Sequence, residues 1–126
     1  MRALLRRGLS ILLLLALGAA PALARSPYPA ILRPDRSDPL FLQHQSAIER
    51  YYRASAQGER LPSLRIYEYQ LQGERSLRAV AARFTVTAES LATLNRLPNA
   101  EIPEDRESVL IPSVPGIFVP EEPESR

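Results

Sequence analysis

"SLRAVAARFTVTAESLATLNRLPN", residues 76–99, decides the fold. Leu77, Val80, Ala81 and Phe84 recur at the i, i+3, i+4, i+7 spacing that places apolar side chains on one face of a helix. Ser76, just before them, suits the N-cap. Only Thr85-Val86-Thr87 separates this run from a second, in which Thr87 caps and Glu89 sits in the first turn, where a carboxylate complements the helix dipole. Ala88, Leu91 and Leu94-Asn95 form the second stripe. Helices this short are marginal alone, so each needs a surface to bury against.

The flanks supply that surface. In "RIYEYQL", residues 65–71, Tyr67, Tyr69 and Leu71 alternate with Glu68 and Gln70, the period of a half-buried strand. After the loop "RLPNAEIPEDRES", "VLI" at 109–111 reads as a closing strand stopped by Pro112. The order strand, helix, helix, strand over 65–112 predicts an α+β fold. Two helices lie on one face of a two-stranded antiparallel sheet, which as a bare hairpin would be marginal.

Upstream, residues 1–24 ("MRALLRRGLSILLLLALGAAPALA") have Arg2, Arg6 and Arg7 ahead of an apolar run and end in Ala22-Leu23-Ala24. That is the pattern of a cleaved signal peptide, and the run is shorter than the roughly 20 apolar residues of a membrane span. The expected mature chain starts at Arg25, is periplasmic or extracellular, and keeps no stable membrane anchor. Residues 25–37 hold three prolines, Pro27, Pro29 and Pro34, and read as an extended, unpacked leader. A helix is expected over 38–58: Ser37 or Asp38 can cap it, Pro39 suits its first position and Gly58 its stop. Leu40, Phe41, His44, Ile48, Tyr51 and Tyr52 make it amphipathic, with its stripe on the following domain or on a partner. Residues 59–64 read as a linker and 113–126 as a Pro/Glu-rich tail.

Sixteen arginines and no lysine face fourteen acids, a formal net charge of +2. Three of those arginines and no acid lie in residues 1–24, leaving thirteen against fourteen, or −1, in the remainder. The clustered basic face of a nucleic-acid binder is not indicated. With no cysteine, a disulfide framework, a lipidated Cys and a Cys-ligated metal are all excluded.

The residues "YQLQGERSLRAVAARFTVTAESLATLNRLPN...VLIP" resemble a lysin motif (LysM), the βααβ module that binds N-acetylglucosamine polymers. Tyr69, Leu71, Ser76, Leu77, Ala81, Phe84, Val86, Leu91, Asn95, Leu97, Val109, Ile111 and Pro112 fall in register with that family's pattern. The family's turn glycine falls on Glu74, with Gly73 one place earlier, and its glycine-glutamine pair falls on Arg106 and Glu107. The resemblance implies a shallow sugar groove between two loops. One is Gly73, Glu74, Arg75, Ser76 and Leu77; the other is Leu97, Pro98, Asn99, Ala100, Glu101 and Ile102. A glycan asks for backbone N–H and C=O groups and an apolar patch, for which Leu97, Pro98 and Ile102 are the candidates. "IYEYQL" and "LIPSVPGIFVPEEP" also resemble the LysM segment of secreted lysostaphin-like zinc endopeptidases. In those proteins a catalytic domain follows, whereas this sequence stops at Arg126.

Catalysis finds little support. His44 is the sole histidine, too few for such a zinc site, and it reads as a partly buried helix residue. Glu104-Asp105 and Glu121-Glu122 lie in Pro-flanked loops and read as solvated charge. Asn95, at a helix end, reads as a brace for its loop. The expectation is a non-enzymatic, cofactor-free, metal-free protein whose partner is peptidoglycan or another N-acetylglucosamine-containing glycan. Two alternatives stand beside it: a protein-interaction or regulatory module, its partner an envelope hydrolase, and the N-terminal part of a split or truncated endopeptidase.

Overall fold

In the computed structural model, which describes residues 26–121, the chain is α+β, with three helices and a three-stranded mixed sheet. The expected signal segment 1–24, the expected mature start at Arg25 and the last five tail residues, 122–126, lie outside the described residues. The elements are β1 (Ala30–Ile31), α1 (Pro39–Gln57), β2 (Ile66–Gln70), α2 (Leu77–Phe84), α3 (Ala88–Leu94) and β3 (Ser108–Pro112).

β2 and β3 pair antiparallel, Tyr67 opposite Ile111 and Tyr69 opposite Val109. Alternation then puts Tyr67, Tyr69, Val109 and Ile111 on the inner face and leaves Ile66, Glu68, Gln70, Ser108 and Leu110 half-buried on the outer one. α2 and α3 form as their spacing predicts. Ser76 Oγ accepts from the Ala79 N–H at 3.2 Å and Thr87 Oγ1 from the Ser90 N–H at 3.1 Å, so both N-caps are in place. The turn between them rests on Thr85 at φ 59°, a left-handed conformation uncommon for a β-branched residue. Its amide belongs to the C-cap of α2, and its carbonyl accepts from the Tyr52 hydroxyl at 3.0 Å.

The leader is not unpacked. β1 adds to β2 in parallel, Ala30 opposite Glu68 and Ile31 opposite Tyr69, making the sheet three-stranded rather than two-stranded. Ile31 is completely buried in the core. Pro29 and Pro34 flank the strand without harm, because an edge position does not need every N–H. Asp38 holds the leader in place: one carboxylate oxygen accepts from the amides of Leu32 (2.8 Å) and Arg33 (3.1 Å). The other accepts from Leu40 at 2.9 Å and caps α1. Burial works to raise the Asp38 pKa, and the amide donors outweigh it, so the carboxyl sits below its ordinary value.

α1 runs from Pro39 at its first position to Gly58 in the left-handed C-cap, as expected. It lays its stripe on the chain's own core. Phe84 is the meeting point, edge-on to Phe41 (centroids 5.6 Å) and to His44 (5.4 Å), with Tyr69 5.0 Å away. His44 is fully buried rather than partly so, with Nε2 2.8 Å from the Pro112 carbonyl. Burial lowers its pKa, and the bond to Pro112 only partly opposes that.

Two further expectations change. Leu94, expected in one core with Leu77, Val80, Phe84 and Leu91, is half-buried and stands outside it, and Leu97 is found there instead. Arg96 at φ 54° turns the chain after α3, so that the Leu97 amide reaches the Ala92 carbonyl at 2.9 Å and the Leu97 side chain enters the core. The tail is also attached as far as it is described. Ser113 is buried, and the amides of Gly116 and Phe118 donate to Ser90 Oγ (2.8 Å) and Thr93 Oγ1 (3.0 Å) on α3.

Candidate functional site

The two loops named from the sequence meet along one edge. The Leu77 amide donates to the Ala100 carbonyl at 2.9 Å and the Ile102 amide to the Arg75 carbonyl at 2.8 Å, a short antiparallel stitch centred on Ser76 and Glu101. This pairing explains how an irregular loop of polar residues keeps one shape: its backbone groups are satisfied by the opposite loop.

Each loop has its own internal supports. Gly73 takes φ 92°, which a side chain would strain. Glu74 folds back, one carboxylate oxygen accepting from the Tyr69 hydroxyl (3.1 Å) and from the Gln72 amide (3.1 Å). Burial, the bond to Glu74 and the charge of Glu74 push the Tyr69 pKa up to about 12. Glu74 thus locks the turn that Gly73 makes. Arg75 reaches across to the opposite loop, where its guanidinium donates to the carbonyls of Pro103 (3.3 Å), Glu104 (3.1 Å) and Arg106 (3.4 Å). Asn99 Oδ1 accepts from the Glu101 amide at 3.3 Å. Asn95 braces the base: its amide donates to the carbonyls of Leu91 (2.8 Å) and Leu110 (2.9 Å), and its oxygen accepts from the Leu110 N–H at 2.7 Å. It satisfies both outward backbone groups of one β3 residue, as a neighbouring strand would.

The eleven candidate residues divide by burial. Pro98, Asn99, Ala100 and Glu101 are exposed on one side, and Gly73, Arg75 and Ser76 on the other, with Glu74 half-buried. Leu77, Leu97 and Ile102 belong to the core. Ile102 is only 3% exposed and Leu97 8%, so neither offers the surface apolar contact expected of it. Both sit beside a turn, where sequence alone does not say whether an apolar side chain points outward.

A depression of about 200 Å³ opens beside the stitch. Ala88 and Ala92 of α3, one turn apart, line it with Ala100, Leu77 and Asn99, and Arg78 and Glu89 add opposite charges. Arg78, Ala88, Glu89 and Ala92 were not anticipated; small residues at i and i+4 flanking the Leu91 stripe were the available signal. Larger hollows of about 560 and 580 Å³ lie along the first half of α1, away from the paired loops. Among the described residues no group of three or more His, Cys, Asp or Glu side chains is arranged to hold a metal, and no helix is long and apolar enough to cross a membrane. The site can offer a small-residue floor with backbone and side-chain polar groups at its rim. Comparison with protein-family models, with curated proteins and with solved structures gave no match.

Proposed function

We propose that the chain is an exported, non-catalytic LysM-type protein of the bacterial envelope that binds an N-acetylglucosamine-containing glycan, peptidoglycan first. The observation that carries the reading is the stitch between loops 73–77 and 97–102, Leu77 to Ala100 and Ile102 to Arg75, beside the depression. On this reading the β2-α2-α3-β3 unit is the counterpart of the βααβ module, with β1 and α1 added to it; the element order supports it. A sugar ring on Ala88, Ala92 and Ala100 would find apolar contact for an acetamido methyl, with polar groups of Asn99, Glu89 and Arg78 near its hydroxyls. Export rests on the pattern of residues 1–24, and the absence of catalysis on a chain with one histidine and no cysteine. Phe41 and His44 of α1 pack on Phe84 in the chain's own core, so the glycan reading needs no partner for that part of the stripe.

One shallow site suits a dissociation constant between about micromolar and millimolar, roughly 8 to 4 kcal/mol. The test is co-sedimentation with purified sacculi and with chitin oligomers. The protein should pellet with sacculi and leave them uncut. Ala100→Trp, on an exposed loop residue, should fill the depression and abolish binding without changing the melting temperature. Protein that stays in the supernatant with both glycans would end this reading.

A further inference from the structure

The end of α1 and the loop after it carry a surface that the groove does not use. Residues 50–65, "RYYRASAQGERLPSLR", hold four arginines against Glu59 alone, a local excess of +3 in a mature chain near neutrality. Arg50, Arg53 and Arg60 line one hollow of about 280 Å³ with Ala54, Glu59 and Pro62. Loop residues 59–65 are exposed except for half-buried Pro62. In this loop Leu61 is 49% and Leu64 46% exposed, bracketed in sequence by Arg60 and Arg65. Tyr52, 43% exposed, stands on the same half of the helix as Arg50 and Arg53.

We propose that this end of the molecule docks reversibly on an anionic phospholipid surface. Two half-exposed leucines on one loop can dip into the boundary between headgroups and acyl chains. The surrounding arginines and the tyrosine match the charge and polarity of that boundary. Charge favours one orientation. Glu101, Glu104, Asp105 and Glu107 face Arg106 and the guanidinium of Arg75, which donates to this loop, an excess of −2 at the groove. α2 separates the two ends: its first residue bonds Ala100 at the groove, and Thr85, its C-cap, bonds Tyr52. The patch stands on its own geometry. Joined to the glycan reading, on which only this consequence rests, it makes the chain a tether between membrane and wall.

Protein purified after export is sedimented with vesicles of phosphatidylcholine, and with vesicles containing about one-third phosphatidylglycerol, at low and high salt. It should bind the anionic vesicles, leave the neutral ones, and be released by salt. Replacing Arg50, Arg53 and Arg60 by Gln should weaken binding about a hundredfold, close to fivefold per arginine. Leu61→Ser with Leu64→Ser should weaken it separately while leaving the salt dependence, and melting temperatures confirm that both variants fold. Equal binding to neutral vesicles, or undiminished binding by the arginine variant, overturns the proposal. So does complete displacement by soluble glycerol phosphate, which would indicate a free-phosphate site. Equal capture by polyglutamate would overturn it in favour of an acidic protein partner. Sacculi binding, measured in parallel, reads the glycan proposal alone, so either can fail without the other.

Discussion

Acidification from about pH 7.5 to 5 should loosen α1 through His44, whose unfolded pKa is about 6.5. The imidazole is fully buried between the rings of Tyr67 and Phe84, with Nε2 on the Pro112 carbonyl and the Gln45 amide at Nδ1. No acid or base is among those neighbours, and burial holds the pKa below its ordinary value. Between the folded and unfolded pKa the unfolded chain therefore binds more protons. Stability is complete above about pH 6.5 and is lost as pH falls through the folded-state pKa. The slope is at most about 1.4 kcal/mol per pH unit, so reaching pH 5 costs up to about 2 kcal/mol. For a domain of this size that lowers the melting temperature by as much as roughly 8–16 °C. Asp38 does not confuse the window, because its depressed pKa makes its contribution fade only below about pH 3.9. The assay is thermal melting by circular dichroism across pH 5–7.5, wild type beside His44→Gln, which can still donate to Pro112 but does not titrate in this range. A flat wild-type profile, or an equal slope in His44→Gln, would refute the reasoning.

Asn95→Ala removes three hydrogen bonds and strands both outward groups of Leu110; at about 1 kcal/mol per bond, more where a group is left unsatisfied, it should cost about 2–4 kcal/mol in urea unfolding. Leu91→Ala, at a completely buried position, should cost about 2–5 kcal/mol. Leu94→Ala should cost less than half as much, and equal losses would mean the core is misassigned. Asp38→Ala should lose about 1 kcal/mol as an N-cap. It should also speed hydrogen exchange at the amides of Leu32 and Arg33, and unchanged exchange there would detach the leader from this account.

The helix pair was legible because its cause is local. Periodicity in Leu77, Val80, Ala81 and Phe84, with Ser76 and Thr87 as caps, sets each helix by side-chain spacing and nearby hydrogen bonds. β2 was legible for the same reason, since alternation in Tyr67 and Tyr69 marks one buried face, and β3 was legible as a short apolar run before Pro112. So was the meeting of the two loops, which follows once strand, helix, helix and strand are in order.

What sequence could not supply depended on contacts between distant residues. Three prolines in the leader predict an extended chain; only Ala30–Ile31 forms a strand, and a turn at 35–38 leads into α1. That this strand pairs with β2 depends on a carboxylate, Asp38, aimed back at Leu32 and Arg33, and on a core vacancy that Ile31 fills. Leu94 and Leu97 look interchangeable in the sequence; the left-handed turn at Arg96 sends the second inward and leaves the first half-exposed. Ile102 goes inward because its amide is tied to Arg75, which turns a candidate sugar contact into a core residue. Local spacing determined which segments become helix or strand. Only the closing of distant hydrogen bonds decided which apolar side chains the surface keeps.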